Sequence, residues 1–153
     1  MKFIIEVKVR EYFDRINKNS TSGKFDSKLE YYWLCALVGL SYNIYNKQLA
    51  ENTELTDKFT IKLKPFENEI RALLFYNYIN KNLANQTNES ILKHMSLFFS
   101  SDSLTKLSEL GMNELNYYAS GGFSIIQEKI PISNDLSNFL IEYLKLLSDK
   151  IGN

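Results

Sequence analysis

The stretch EYYWLCALVGL, residues 30–40, constrains the fold more than any other part of this sequence. Its one charged residue is the first, and the only tryptophan and the only cysteine lie within it. At about 3.6 residues per turn, two faces of a helix here are apolar or small: Leu29, Trp33, Leu37 and Leu40 on one, and Tyr32, Cys35, Gly39 and Tyr42 on the other. The pattern predicts a core helix buried nearly all round, with Gly39 allowing a neighbouring backbone to approach closely.

A membrane segment does not fit this stretch. The uncharged apolar run from Tyr31 to Leu40 has about ten residues, whereas a spanning helix needs about twenty. At the N-terminus, MKFIIEVKVREYF, charged residues interrupt the apolar patch at once, so no signal peptide is indicated. We therefore expect no membrane association and a cytoplasmic location.

The 153 residues suit one domain over 1–153, with a core large enough to need no disulfide or metal. One Cys and one His exclude an intramolecular disulfide and the usual zinc sites. Because the 18 basic and 18 acidic residues cancel, no overall field attracts nucleic acid or an anionic membrane. Aromatic residues make up 14%, which indicates a large core or a core with an aromatic-rich interface.

Apolar periodicity predicts a mainly α fold, a single-domain irregular or orthogonal bundle of five to seven helices. After the opening helix, which Ser27 and Glu30 would begin as a capping box, helices are expected at about 66–83, 89–99, 103–110 and 134–151. In the helix over 66–83, the inward residues would be Phe66, Ile70, Leu73 and Leu74. Gly111 would end the helix over 103–110.

Two stretches fit more than one structure. Residues 2–9 and 58–64 both alternate apolar and polar side chains, so they could pair as one short two-stranded β element. The first stretch also fits a helix face, and we favour a helix over about 4–17.

The residues with the strongest chemistry have ordinary structural interpretations. Cys35 lies mid-helix among apolar neighbours, unlike a reactive thiol, and no nucleophile motif accompanies His94. Without a glycine-rich phosphate loop either, we predict that the protein is not an enzyme and has no cofactor and no metal.

Two features suggest surfaces for a protein partner. The stretch NYYASGGFSII, residues 116–126, reads as a helix end followed by a tight glycine turn that would present Tyr117, Tyr118 and Phe123. The helix over 134–151 carries a second apolar stripe with Phe139 and Leu146, so either the helix is wedged between other elements or this stripe awaits a partner. We favour the partner.

These features favour a non-catalytic helical accessory subunit that binds a protein partner or a second copy of itself. The alternative is a nucleic-acid-binding module using the cations of the N-terminal helix, Lys8, Arg10, Arg15 and Lys18. Enrichment in Lys, Asn and Ile indicates an AT-rich bacterial or mobile-element genome. An antiviral defence or mobile-element complex is the expected context because the protein is small and without recognised motifs, and this expectation does not come from its residues.

Overall fold

The computed structural model describes residues 1–151, with side chains through residue 150. This part of the chain is mainly α-helical, with six helices and one two-stranded antiparallel sheet, as the periodicity predicts. In chain order the elements are β1 (Ile4–Glu6), α1 (Val7–Asn19), α2 (Lys28–Tyr42), β2 (Asn52–Glu54), a 3-10 turn (Lys64–Phe66), α3 (Glu67–Asn82), α4 (Asn88–Phe98), α5 (Glu109–Lys129) and α6 (Leu136–Ile151).

The described residues form two compact units. The first unit combines Met1–Phe3 with Glu54–Asn116, and the second combines Ile4–Thr53 with the described residues from Tyr117 onward. Both units therefore draw on separate stretches of chain. The expectation of a single domain over 1–153 stays a prediction.

The N-terminal residues divide between a strand and a helix, so the helix favoured over 4–17 is wrong for its first three residues. Residues 4–6 form β1, which pairs with β2. Phe59 is buried and Ile61 is 93% exposed, and residues 58–64 form no strand. All three residues of β2 are polar, so the strand shows no alternation of apolar and polar side chains. Its pairing therefore depends on backbone hydrogen bonds.

Helix α2 is buried nearly all round, as its apolar faces predict. Its N-terminus differs from the expected capping box, because the Ser27 side chain makes no capping hydrogen bond. The Glu30 carboxylate instead accepts the backbone N–H of Asp26 at 2.8 Å, one residue earlier than the pattern predicts. Asn43, in the left-handed region at φ 52°, ends the helix.

Helix α5 runs without interruption through 109–129, and this overturns three expectations. Residues 103–108 are not helical, Gly111 does not end a helix, and the supposed loop over 116–126 is helix interior. Close packing accounts for the glycines. A Cβ on Gly122 would lie 1.8 Å from the Cys35 carbonyl oxygen, and one on Gly39 would lie 2.0 Å from the Tyr118 carbonyl oxygen. The close approach expected at Gly39 is thus confirmed, with α5 as the neighbour.

An aromatic cluster fills the second unit. The Phe13 ring stacks on Tyr31 with centroids 4.8 Å apart and meets the edge of Phe139 at 5.3 Å. Tyr12 meets Phe123 edge-on at 5.5 Å. Such pairs contribute about 0.5–1.5 kcal/mol each beyond the apolar area they bury.

A second aromatic cluster lies in the first unit, where α3 and α4 pack together. The Phe75 ring lies 5.3 Å from that of Phe98 and 5.1 Å from that of Phe99. On α3, Ile70 and Leu74 are buried as expected, whereas Phe66, just before the helix, is 58% exposed. Leu73, also expected inward, is exposed. The apolar surface of α3 therefore extends beyond what the chain covers.

Candidate functional site

The residues expected to present a partner surface lie mostly in the core. Tyr118 and Phe123 are buried in the interior of α5, and Phe139 and Leu146 are buried in α6. Tyr117 is half-buried. The stripe expected to await a partner is instead covered by the chain itself, so these five residues do not form an exposed contact surface.

The physical reason is visible in their contacts. The Tyr118 hydroxyl donates to the Asn43 side-chain oxygen at 3.1 Å, and the Tyr117 carbonyl accepts the Asn46 N–H at 3.0 Å. Phe139 packs against aromatic rings of α1, as described above. Sequence periodicity identified the apolar faces but not the elements that cover them.

The cations of α1 do not form an uninterrupted basic surface. Lys8 Nζ lies 3.5 Å from the buried carboxylate of Glu6, and the Arg15 guanidinium lies over the Tyr12 ring at 5.2 Å. Two exposed acidic residues, Glu11 and Asp14, separate the pair Lys8 and Arg10 from the pair Arg15 and Lys18 along the helix. The nucleic-acid alternative stays a prediction.

Neither Cys35 nor His94 is arranged as a reactive centre. Burial raises the pKa of the Cys35 thiol well above its usual range, with the nearby Glu6 carboxylate adding to the effect, so the thiolate is disfavoured. His94 is half-buried on α4, where its Nδ1 lies 3.4 Å from the Tyr78 hydroxyl. Within residues 1–151, no group of three or more His, Cys, Asp or Glu side chains is placed to hold a metal ion.

The candidate site is a groove in the first unit, between α3, α4 and the turn that follows α4. It has a volume of about 850 Å³. From α3 come residues at the helical spacing of three and four: Asn68, Arg71, Ala72, Phe75, Tyr76, Ile79 and Asn80. The other wall includes Ile91, Met95 and Phe99. The middle of the groove is therefore apolar, and polar groups lie towards its ends.

The groove is lined by large side chains that the chain leaves open. Tyr76 is 64% exposed and Met95 is 39% exposed, although both are large and apolar. Phe75, which is half-buried, links this surface to Phe98 in the core. Contiguous exposed apolar surface in a concavity, unlike scattered single residues, is typical of binding sites.

One end of the groove is positively charged. Its described lining residues include two cations, Arg71 and Lys106, and no carboxylate. The Arg71 guanidinium donates to the Thr105 carbonyl at 2.9 Å, and Lys106 Nζ donates to the Ser101 carbonyl at 2.7 Å. These acceptors are neutral, so they hold the two cations in place without cancelling their charge.

The nearest carboxylate to Arg71 is already shared. Glu67 lies 3.8 Å from the Arg71 guanidinium but only 2.9 Å from Lys64 Nζ. These cations, Lys64 first, hold the pKa of the Glu67 carboxyl below its usual range. The group formed by Lys64, Glu67 and Arg71 therefore keeps a net positive charge, to which Lys106 adds.

Sequence reasoning missed this site, although a signal was present. Ala72, Phe75, Tyr76 and Ile79 recur at helical spacing and form a second apolar stripe on α3, beside the one centred on Ile70 and Leu74. A second apolar stripe indicates that a helix has two apolar surfaces to bury. In α6 both contacts lie within the chain, whereas in α3 one remains open.

Among residues 1–151, no helix is both long and apolar enough to cross a bilayer. Comparison of the chain with protein-family models, with curated proteins and with solved structures finds no match. The fold and the groove define a mainly α-helical protein with an open, apolar, cationic groove between two helices.

Proposed function

We propose that this chain is a non-catalytic accessory subunit that binds a protein partner through the groove between α3 and α4. The observation that carries the proposal is the continuous apolar stripe of α3, opposite Met95 and Phe99 of the other wall. A helix laid into such a groove buries its apolar face against side chains at a spacing of three and four. Burial there stabilises a complex by about 25 cal/mol per Å² before the costs of association.

Binding fits the lining of the groove better than catalysis. Apart from the two cations, its polar lining groups are the amides of Asn68, Asn80 and Gln86, the Tyr76 hydroxyl and serine hydroxyls. The described lining contains no His, Cys or carboxylate that would serve a serine hydroxyl as a general base. A bacterial defence or mobile-element complex remains the context expected for a small protein without recognised motifs.

The proposal is tested by co-expressing the tagged chain with its neighbouring genes and purifying it under matched conditions. Ala72 is exposed within the groove, so Ala72→Trp fills the groove without entering the core. Ala50 is exposed in the second unit, and Ala50→Trp is the same substitution outside the groove.

A stoichiometric protein that co-purifies with wild type and Ala50→Trp but not with Ala72→Trp is the expected result. Retention of that protein by Ala72→Trp overturns the groove as its binding site. Co-purification of nucleic acid without protein, detected by absorbance at 260 nm against 280 nm, overturns the proposal in favour of the α1 cations. A lone monomer also overturns it.

A further inference from the structure

The dimensions of the groove favour a helix as its occupant. Its α3 wall runs from Asn68 to Asn80, about 18 Å at about 1.5 Å per residue, the length of three helical turns. Two walls are helices, whose backbone groups are hydrogen-bonded internally, so neither of these two walls offers an extended peptide a strand edge to pair with. Ala72 and Tyr76 are exposed, so the groove does not enclose a small molecule as ligand cavities do.

The charges of the groove select among helices. Arg71 and Lys106 are its only charged lining residues within the described chain. Both lie at one end, where Arg71 donates to the Thr105 carbonyl and Lys106 to the Ser101 carbonyl. Low-dielectric walls strengthen the attraction between these cations and a carboxylate brought against them. A helix with an apolar face and a carboxylate at this end would therefore match both the apolar walls and the cations of the groove.

A second copy of this chain does not fit the groove in two-fold pairing. Such an interface sets the same patch of both copies face to face. Two concave surfaces would leave a void between them, and where the two-fold axis runs along the groove the cations of one copy would also meet those of the other. Like charges facing each other cost binding free energy.

The backbone at Lys106 is consistent with a functional position. Its φ of 59° is in the left-handed region, which residues other than Gly, Asn and Asp seldom adopt. An Asn would relieve this conformational cost, yet the chain places a lysine here at the end of the groove. Backbone strain of this kind recurs at ligand-binding positions.

We propose that the occupant of the groove is an acidic amphipathic helix. Three turns of the helix lie along Phe75, Ile79 and Met95, and at least one Asp or Glu faces Arg71 and Lys106. This inference rests on the proposed function and specifies the chemistry of the partner at that site.

The test is a selection from an unbiased display library of helix-forming 16-residue peptides. The immobilised full chain is wild type, Lys106→Asn, Lys58→Asn or Ala72→Trp. Lys106→Asn removes the charge and suits the local φ, so the fold is expected to persist, as thermal unfolding followed by circular dichroism would confirm. Lys58→Asn is the matched control, since Lys58 is exposed in the same unit and does not line the groove.

Wild type and Lys58→Asn are expected to select peptides with large apolar residues spaced three and four apart and with Asp or Glu at one end. Lys106→Asn should select the same apolar pattern with fewer acidic residues. It should bind the peptides selected on wild type about 1.4- to fivefold more weakly, the range of an exposed ion pair. Raising the salt concentration should shrink this difference.

The outcomes separate this inference from the proposed function. Apolar peptides that are blocked by Ala72→Trp but show no acidic enrichment overturn the acidic occupant and leave the groove as a protein-binding site. Equal acidic enrichment on wild type and Lys106→Asn likewise overturns the role of the charge. Failure of every chain to select a groove-dependent peptide overturns both proposals.

Discussion

The crossing of α2 and α5 gives the sharpest test of the fold, through the substitution Gly122→Ala. The new methyl carbon would lie 1.8 Å from the Cys35 carbonyl oxygen and 2.5 Å from the Gly39 nitrogen, where an ordinary contact begins at 3.4 Å. Both neighbours are backbone atoms and cannot rotate away. The two helices would have to separate by about 1.6 Å at this point.

The expected loss exceeds the gain in helix propensity. Ala is about 1 kcal/mol more favourable than Gly within a helix. A gap of 0.5–1 Å already forfeits about a quarter to a half of the dispersion attraction across a contact, and overpacking a core costs about 1–3 kcal/mol or more. With the larger separation required here, we expect Gly122→Ala to lower the free energy of unfolding by about 3 kcal/mol. The corresponding fall in Tm is about 6–12 °C.

Urea unfolding followed by circular dichroism measures this change. Ser124, two residues later in α5, is exposed, so comparing Ser124→Ala with Ser124→Gly gives the intrinsic Ala–Gly difference in the same helix. At position 124 the Ala variant should be more stable than the Gly variant by about 1 kcal/mol. At position 122 the protein with Gly should be more stable than the protein with Ala. If Gly122→Ala is as stable as wild type, α2 and α5 are not in backbone contact and the reasoning is refuted.

Three further predictions concern the core and its polar contacts. The Asp135 carboxylate accepts the Ser22 hydroxyl at 2.7 Å, and this and neighbouring hydrogen bonds lower its pKa from 3.8 to about 2. The ionised Asp135 carboxylate therefore stabilises the fold above about pH 4, and this stabilisation is lost as pH falls towards 2. Wild type and Asp135→Asn should converge in stability over that interval of an acid titration. Phe139→Glu buries a charge in the aromatic cluster and should lower the free energy of unfolding in urea by more than about 4 kcal/mol. Leu144→Glu, on the exposed face of α6, should change it by no more than about 0.5 kcal/mol. A folded, soluble Phe139→Glu variant would restore the partner interpretation of that stripe. Lys81 and Glu114 form a largely buried ion pair at 2.5 Å. Glu114→Leu alone should therefore lower the free energy of unfolding by about 3–5 kcal/mol, and adding Lys81→Met should recover much of that loss. Strictly additive losses in the double variant would contradict this coupling.

The sequence pattern predicted a helix best where that helix is buried on all sides. The apolar faces of α2 required burial whatever surrounded them, so its position and the close approach at Gly39 followed from local pattern alone. Consecutive glycines at Gly121 and Gly122 pointed the other way, because Gly-Gly is typical of turns. Their function here is to admit the backbone of residues distant in sequence, and no local window contains that information.

The covering of an apolar stripe was equally beyond local pattern. Phe139 lies 5.3 Å from the ring of Phe13, which is more than one hundred residues earlier in the chain. β2 gave no signal at all, since its residues are polar and its structure depends on hydrogen bonds to another segment. In each case a contact distant in sequence decided between structures that the local residues allowed.

The interaction hypothesis depends on what remains exposed after folding rather than on how apolar a helix is. Both α3 and α6 carry more apolar surface than one contact requires. In α6 the second stripe is buried within the same unit, where Phe139 packs against aromatic rings, so its hydrophobicity stabilises the fold. In α3 the corresponding stripe faces an open groove in which Tyr76 and Met95 stay exposed and cations occupy one end. Single exposed apolar residues are ordinary on protein surfaces, but a concave set at helical spacing with charge of one sign has the chemistry of a binding site.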